Sequence, residues 1–219
     1  MIFDDLCGHE WSKGHSCHTN GQEEYMGEVI VTEFVTLDGV FEDPGGAGDF
    51  EHGGWSFKFN RGEEGDKFKF DELMASDAQL LGRVTYEGFA KAWPAMTGMG
   101  EFGERMNGMP KYVVSSTLAA DGATWENSTV IGQDITGEVS RLKQQLTGDI
   151  LVAGSANLVQ TLAKHDLVDE YRLMVFPVVL GSGRRLFGDG FPHTVLRVVD
   201  STPIGPDGVF VLTYRPARD

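Results

Sequence analysis

"ILVAGSANLVQTL", residues 150–162, runs from an apolar, strand-like stretch through Gly154-Ser155 into a helical pattern. Leu158, Val159 and Leu162 fall on one face of that helix. A glycine at such a junction allows a sharp bend because it has no Cβ. It also lets an anion approach the unpaired N–H groups at the positive end of the helix dipole. Taken alone, the stretch fits a tight turn and a phosphate site equally well. Under both readings it is strand–turn–helix, the repeating unit of an α/β sheet.

The same alternation extends outward in both directions. "EVIVTEFVTL" (28–37) has the β-branched, mostly apolar character of a buried strand. A Gly-rich loop from Asp38 to about Asn60 follows, carrying Phe41, Phe50, Trp55, Phe57 and Phe59. Loops of that length within a compact domain are more often functional lids than connectors. Phe70, Leu73 and Met74 keep helical spacing between Asp66 and Ala75. "AQLLG" (78–82) reads as a short strand. Beyond Thr85 a helix presents Tyr86, Phe89, Ala90 and Trp93 on one face. "KYVVS" and "TVIG" are further strands. Ile135, Val139, Leu142 and Leu146 define another helix, for which Thr136 is the expected N-cap. After residue 170 the helices stop. "YRLMVFPVVL" (171–180), "TVLRVVDSTPI" and "GVFVLTYRP" read as three strands pairing antiparallel at one sheet edge. The expectation is one α/β domain with a mixed sheet over residues 26–219, preceded by a leader at 1–25.

Composition narrows the function classes. The 219 residues are 41% hydrophobic, enough for a real core, and the net charge is -15. A nucleic-acid binder needs a basic face, so that class is disfavoured. No apolar run approaches a membrane span. The acidic, polar start resembles no secretory signal, which places the protein in the cytoplasm and gives the Asn127-Ser128-Thr129 acceptor pattern little weight. Cys7 and Cys17 lie in the leader with His9, His15 and His18. Zinc selects such side chains, but their spacing matches no paired-knuckle pattern, so no metal site is assigned and the leader is read as disordered and dispensable for folding.

Three strand ends carry the chemistry: "LLGRVTYE" (80–87), "VVSSTL" (113–118) and "VAGSANL" (152–158). Ligands of open α/β sheets sit outside the carboxyl ends of parallel strands. Gly82 and Gly154 permit close backbone approach, Arg83 supplies a cation, and Ser115, Ser116 and Ser155 supply hydroxyls. Each has a plainer reading, such as a surface ion pair between Arg83 and Glu87 or ordinary serine turns. Their co-occurrence favours a dinucleotide. No G-x-G-x-x-G follows a strand, and no G-x-x-x-x-G-K-[ST], G-x-S-x-G or H-E-x-x-H occurs.

"TLDGVFEDPGG", "LLGRVTYEGFAKAWP", "KYVVSSTL", "ILVAGSANLVQTLAKHDLVDEYRLMVFPVVLGSGRRLF" and the final strand pair together resemble the dihydrofolate reductase-like superfamily. The branch is the one sharing a fold with the C-terminal reductase domain of the bifunctional riboflavin-biosynthesis deaminase/reductase. The resemblance covers about Gly27 to Pro216. It implies a three-layer α/β/α fold with a mostly parallel sheet and an antiparallel C-terminal strand pair. It implies NADPH across the strand ends, with Gly82, Arg83 and Thr85 at the helix start facing the cofactor phosphates. Ser115 and Ser116 match the adenosine-side loop, and Gly154, Ser155, Ala156 and Asn157 match the diphosphate-binding turn. Asp38 matches the position closest to nicotinamide and substrate, where it supplies a proton or orients the acceptor, if Asp38-Gly39 is not simply a turn. A homodimer is implied as well. No deaminase domain accompanies these motifs, and the long aromatic loop matches no known substrate pocket.

The expected function is therefore hydride transfer from NADPH to a small heterocycle, with pterin, folate and aminopyrimidine acceptors all open. The alternatives are a cofactor-binding module of the same fold without turnover, and a zinc-dependent interaction protein working through the leader. Arg184 and Arg185 of "GSGRRLF" fit a substrate-phosphate site less well than a solvated or interface-facing turn.

Overall fold

The computed structural model describes residues 26–218; the leader with its Cys and His residues lies outside them. In chain order the elements are β1 (Val29–Thr36), α1 (Gly62–Met74), β2 (Ser76–Gly82), α2 (Arg83–Ala92), α3 (Gly100–Gly108) and β3 (Lys111–Val114). Then come β4 (Ser128–Ile131), α4 (Ile135–Gln145), β5 (Asp149–Val152), α5 (Ala156–Lys164), β6 (Glu170–Phe176), β7 (Leu196–Ile204) and β8 (Val209–Pro216). The strands form one sheet in the order β4-β3-β2-β5-β1-β6-β8-β7. The first six are parallel, and β8 runs antiparallel to both β6 and β7. This is the mixed, mostly parallel sheet with an antiparallel C-terminal strand pair anticipated above.

Alternation along β1 separates the two faces of the sheet. Val29, Val31 and Val35 pack with Val139 and Leu142 of α4 and with Leu158, Val159 and Leu162 of α5. On the other face Ile30 packs with Leu73 of α1, Tyr86 of α2 and Met106 of α3. Farther along that face, the 38–60 loop buries Trp55 edge-on against Phe176, with ring centroids 5.3 Å apart. The Trp55 indole N–H donates to the Glu42 carbonyl at 2.8 Å, so the loop carries its own small core.

Several expectations shift for local reasons. β6 does not pair with β7. It lies parallel to β1, because the α5 crossover returns the chain in the same direction, and β8 alone pairs with it antiparallel. β6 stops at Phe176, since Pro177 offers no N–H to the ladder. The N-cap of α4 is Asp134 rather than Thr136: its carboxylate accepts from the Gly137 N–H at 3.1 Å, while Thr136 is already helical. α1 starts at Gly62, ahead of the apolar spacing, with Glu63 and Glu64 suiting the positive end of its dipole. α3 has no clear sequence pattern because Gly100, Gly103 and Gly108 dilute it.

An ionic network built around the buried Glu72 and Glu170 ties the sheet to α1. Arg172 on β6 reaches Glu170 at 2.6 Å and Asp149 at 3.1 Å, and Arg215 on β8 joins Glu170 to Glu28. Glu72 of α1 pairs with Lys69 and accepts from the Thr32 hydroxyl at 2.9 Å. The network leaves the carboxyl ends of the strands free for other work.

Candidate cofactor and active site

The carboxyl ends of β2 and β5 meet. Gly82 donates its N–H to the Gly154 carbonyl at 3.1 Å. A Cβ at Gly82 would stand 2.5 Å from Ser155 Oγ and 3.0 Å from the Ser155 backbone nitrogen, so only glycine lets these turns close. Gly154 has φ +86°, a left-handed conformation that glycine adopts at no steric cost. The Gly154–Ser155 peptide is cis. A Cβ at Gly154 would lie 2.9 Å from Thr85 Oγ1, 3.5 Å from Glu33 Oε1 and 3.8 Å from the Phe41 ring. The first turn of α2, the first turn of α5, the middle of β1 and the start of the long loop thus converge on one point.

Two helices begin at that point and neither is capped by a side chain. Gly82 is the N-cap of α2 and Ser155 that of α5, and neither makes a side-chain capping hydrogen bond. In α4, by contrast, Asp134 supplies the cap. The leading N–H groups of α2 and α5 therefore remain available beside each other, with two positive dipole ends adjoining.

Ser115, at the end of β3, is buried and uses its Oγ to accept from the N–H groups of Thr117 at 3.2 Å and Leu118 at 2.9 Å. It shapes the loop, leaving the exposed Ser116 as the more accessible hydroxyl. Asn157 is also exposed, and Ala156 opens α5. Arg83 adopts the plainer of its two arrangements: its guanidinium lies 2.9 Å from both carboxylate oxygens of Glu87. Both partners are substantially exposed, so the pair is weak and open to competition.

Asp38 lies beyond the end of β1 and is a firmly held turn residue. Its carboxylate accepts from the Thr36 hydroxyl at 2.6 Å, the Gly181 N–H at 2.9 Å and the Leu180 N–H at 3.3 Å. The Thr36 hydrogen bond, helped by those backbone N–H groups, lowers its pKa below the ordinary carboxylate value. Such a group orients neighbours better than it delivers a proton. Arg185 donates to the Asp38 carbonyl at 2.9 Å, and Arg184 pairs with Glu42 at 3.3 Å. Both arginines thereby fasten the 181–186 turn to the start of the long loop, where Phe41 and Leu186 add backbone hydrogen bonds.

Glu33 escaped the sequence reading. It projects from β1 on the α5 side, between Val31 and Val35, and is almost wholly buried. Its Oε1 has no hydrogen-bond partner. Burial pushes the carboxyl up to about 8, with Lys69 pulling it down and Glu72 pushing it up to lesser extents. The available signal was an acid set in the otherwise uncharged strand VIVTEFVT.

The model of the RibD C-terminal domain family matches residues 28–210. The chain belongs to the RibD C-terminal domain family. Among the relatives is the uncharacterized protein YwjB of Bacillus subtilis, 32% identical over 178 residues that span 81% of this chain and 92% of YwjB. A Shewanella sp. PV-4 protein described under riboflavin biosynthesis superposes with a TM-score of 0.70 at 21% identity, covering 87% of this chain and 99% of that one. Enterococcus faecalis dihydrofolate reductase, solved with NADP(H), superposes with a TM-score of 0.56 at 14% identity, covering 89% and 99%. These likenesses establish a RibD-like, dihydrofolate reductase-like fold. Among the described residues no helix is long and apolar enough to cross a membrane, and no group of three His, Cys, Asp or Glu side chains is placed to hold a metal ion.

Proposed function

We propose that this RibD-type domain is an NADPH-dependent reductase that delivers hydride to a small heterocyclic acceptor of the pterin, folate or aminopyrimidine kind. The observation that carries this reading is the contact of two uncapped helix starts at Gly82 and Ser155. Paired N–H clusters with positive dipole ends suit a diphosphate, and the absence of side chains at Gly82 and Gly154 suits close backbone approach. The residues present therefore fit a dinucleotide. In an acidic chain of net charge -15, such local positive ends are what make an anionic cofactor tolerable.

NADPH, when bound, would supply the hydride. The chain's own residues would do the rest. The Gly82–Thr85 and Gly154–Asn157 turns would hold the diphosphate, and Ser115 and Ser116 would frame the adenosine side. Arg83, released from Glu87, would meet the 2′-phosphate. Asp38 would hold the start of the long loop and the 181–186 turn in register, so that Phe41 stays against the Gly154 turn beside which the cofactor would lie. The reading extends to a cytoplasmic homodimer, and the exposed apolar sheet edge supports the dimer. Val198, Val199 and Phe210 on the β7–β8 sheet edge are all more than two-fifths exposed, and single domains usually cover such an edge. Light scattering that finds only monomer at micromolar concentration would remove the dimer.

The test of function is NADPH oxidation by the purified chain against pterins, folates, aminopyrimidine ribosides and quinones. Turnover with one heterocyclic class is expected. Binding of NADPH without oxidation by any acceptor would replace the reductase with a cofactor-binding module.

A further inference from the structure

Glu33 is an unusual residue for a site that holds an anion. It lies on the core face of β1, immediately beneath the Gly154 turn, and its Oε1 is buried with no partner. A buried polar atom without a partner is costly, and folded chains retain one mainly where something else meets it. Thr85 Oγ1 and the Phe41 ring close on the same point. A Cβ at residue 154 would stand 2.9 Å from Thr85 Oγ1 and 3.5 Å from Glu33 Oε1, so only the missing side chain of Gly154 separates the buried carboxyl from the turn. The next residue, Ser155, is the uncapped start of α5. The helix start calls for an oxygen-rich anion, whereas an ionised carboxylate at the same place would repel it.

We propose that Glu33 is a cofactor-contacting residue that works as a neutral acid, its carboxyl O–H donating to an oxygen of the dinucleotide at the Gly154–Ser155 turn, so that cofactor binding and protonation of Glu33 are coupled. This inference rests on the proposed function above. The electrostatic surroundings agree with it. The charged groups acting on Glu33 are Lys69 and Glu72 of α1, which lie across the sheet and are already paired with each other. The α5 side of Glu33 presents the apolar Val31, Val35, Leu158 and Val159, and Leu173 pairs beside it on β6. With Lys69 engaged by Glu72 and no other cation acting on Glu33 among the described residues, burial governs the group, and the proton stays on up to about pH 8. A bound anion would strengthen that preference. Thr85 Oγ1, at the same point, supplies a second neutral donor.

The test is calorimetric titration of NADPH into the full chain from about pH 7 to about pH 9.5, in two buffers with different ionisation heats, with Glu33→Gln in parallel. A range above pH 7 keeps the cofactor's own 2′-phosphate out of its titration. In the wild type, binding should take up close to one proton at the alkaline end. The dissociation constant should rise toward tenfold per pH unit once free Glu33 ionises, the slope that linkage of one proton requires. Glu33→Gln keeps a neutral donor and should bind NADPH with no such slope and no proton uptake. Wild-type binding that is flat with pH and takes up no proton overturns the inference but leaves the proposed function standing. No NADPH binding at any pH overturns both. If the variant fails to fold, proton uptake by the wild type alone still decides the matter, because among the described groups near the turn only Glu33 is held neutral to this range.

Discussion

Gly82→Ala probes the contact on which the site depends. The φ and ψ of Gly82, -70° and 152°, suit any residue, so alanine adds no backbone strain. The whole effect comes from the Cβ, which would stand 2.5 Å from Ser155 Oγ and 3.0 Å from both Ser155 Cβ and Ser155 N. Carbon contacts are normally about 3.5–4.0 Å, so the two turns must part by several tenths of an ångström. Overpacking of this kind costs about 1–3 kcal/mol. With one contact against backbone, which yields little, the upper half of that range is expected. For a chain of this size, that is a fall in Tm of about 4–12 °C. Ser155→Gly removes the Oγ and Cβ contacts but keeps the backbone one. In that background Gly82→Ala should therefore cost about 1 kcal/mol less. Thermal and urea unfolding of the four proteins gives the cycle directly. Additive effects, within the few tenths of a kcal/mol found for unconnected sites, would refute the contact.

Other outcomes follow from the same geometry. Arg83→Ala should weaken NADPH binding about ten- to a hundredfold through loss of a charge-assisted phosphate contact, while NADH affinity hardly moves; equal losses in fluorescence titrations would return Arg83 to its pairing with Glu87. Asp38→Asn should lower stability at neutral pH. Because the folded pKa lies below the ordinary 3.8, that deficit should vanish as pH falls through the acid range, as acid unfolding of both proteins would reveal. Glu33 works in the opposite sense. Protonated when folded up to about 8 but ionised when unfolded above 4.5, it should make stability decline with rising pH between those values, at no more than about 1.4 kcal/mol per unit, and Glu33→Gln should flatten the decline in urea titrations. Lys111 is fully buried, donates to the carbonyls of Met109 and Glu126, and is pushed down to about 8 by burial. Stability should therefore rise as pH climbs from about 8 toward the lysine value of 10.5, a rise that Lys111→Met should abolish.

Strong periodicity and glycine punctuation made most of this molecule readable before folding. The apolar spacing of α4 and α5 and the runs of β1, β2 and β5 needed no tertiary information, and the Gly82 and Gly154 junctions stood out because each ends an apolar run at a helix start. What escaped depends on neighbours distant in the chain. The glycines of α3 hid a helix that packing on β2 and α1 sustains. The position of β6 beside β1 follows from a crossover that no local pattern records. The roles of Asp38 and Glu33 depend on what surrounds each: Asp38 is held by N–H groups of residues 180 and 181, whereas the buried Oε1 of Glu33 meets no partner. Sequence gives a carboxylate's identity but not its environment, and the environment decides whether it is ionised.

The central claim is that a nicotinamide dinucleotide lies on the paired helix starts at Gly82 and Ser155. Two-dimensional amide NMR of the isotopically labelled chain, titrated with NADPH, tests it most directly. Saturable shifts should concentrate at the backbone N–H groups of Gly82, Arg83, Thr85, Ser116, Gly154, Ser155, Ala156 and Asn157, with little change along β7. Shifts that are absent, or that gather away from the carboxyl ends of β2, β3 and β5, would contradict the account.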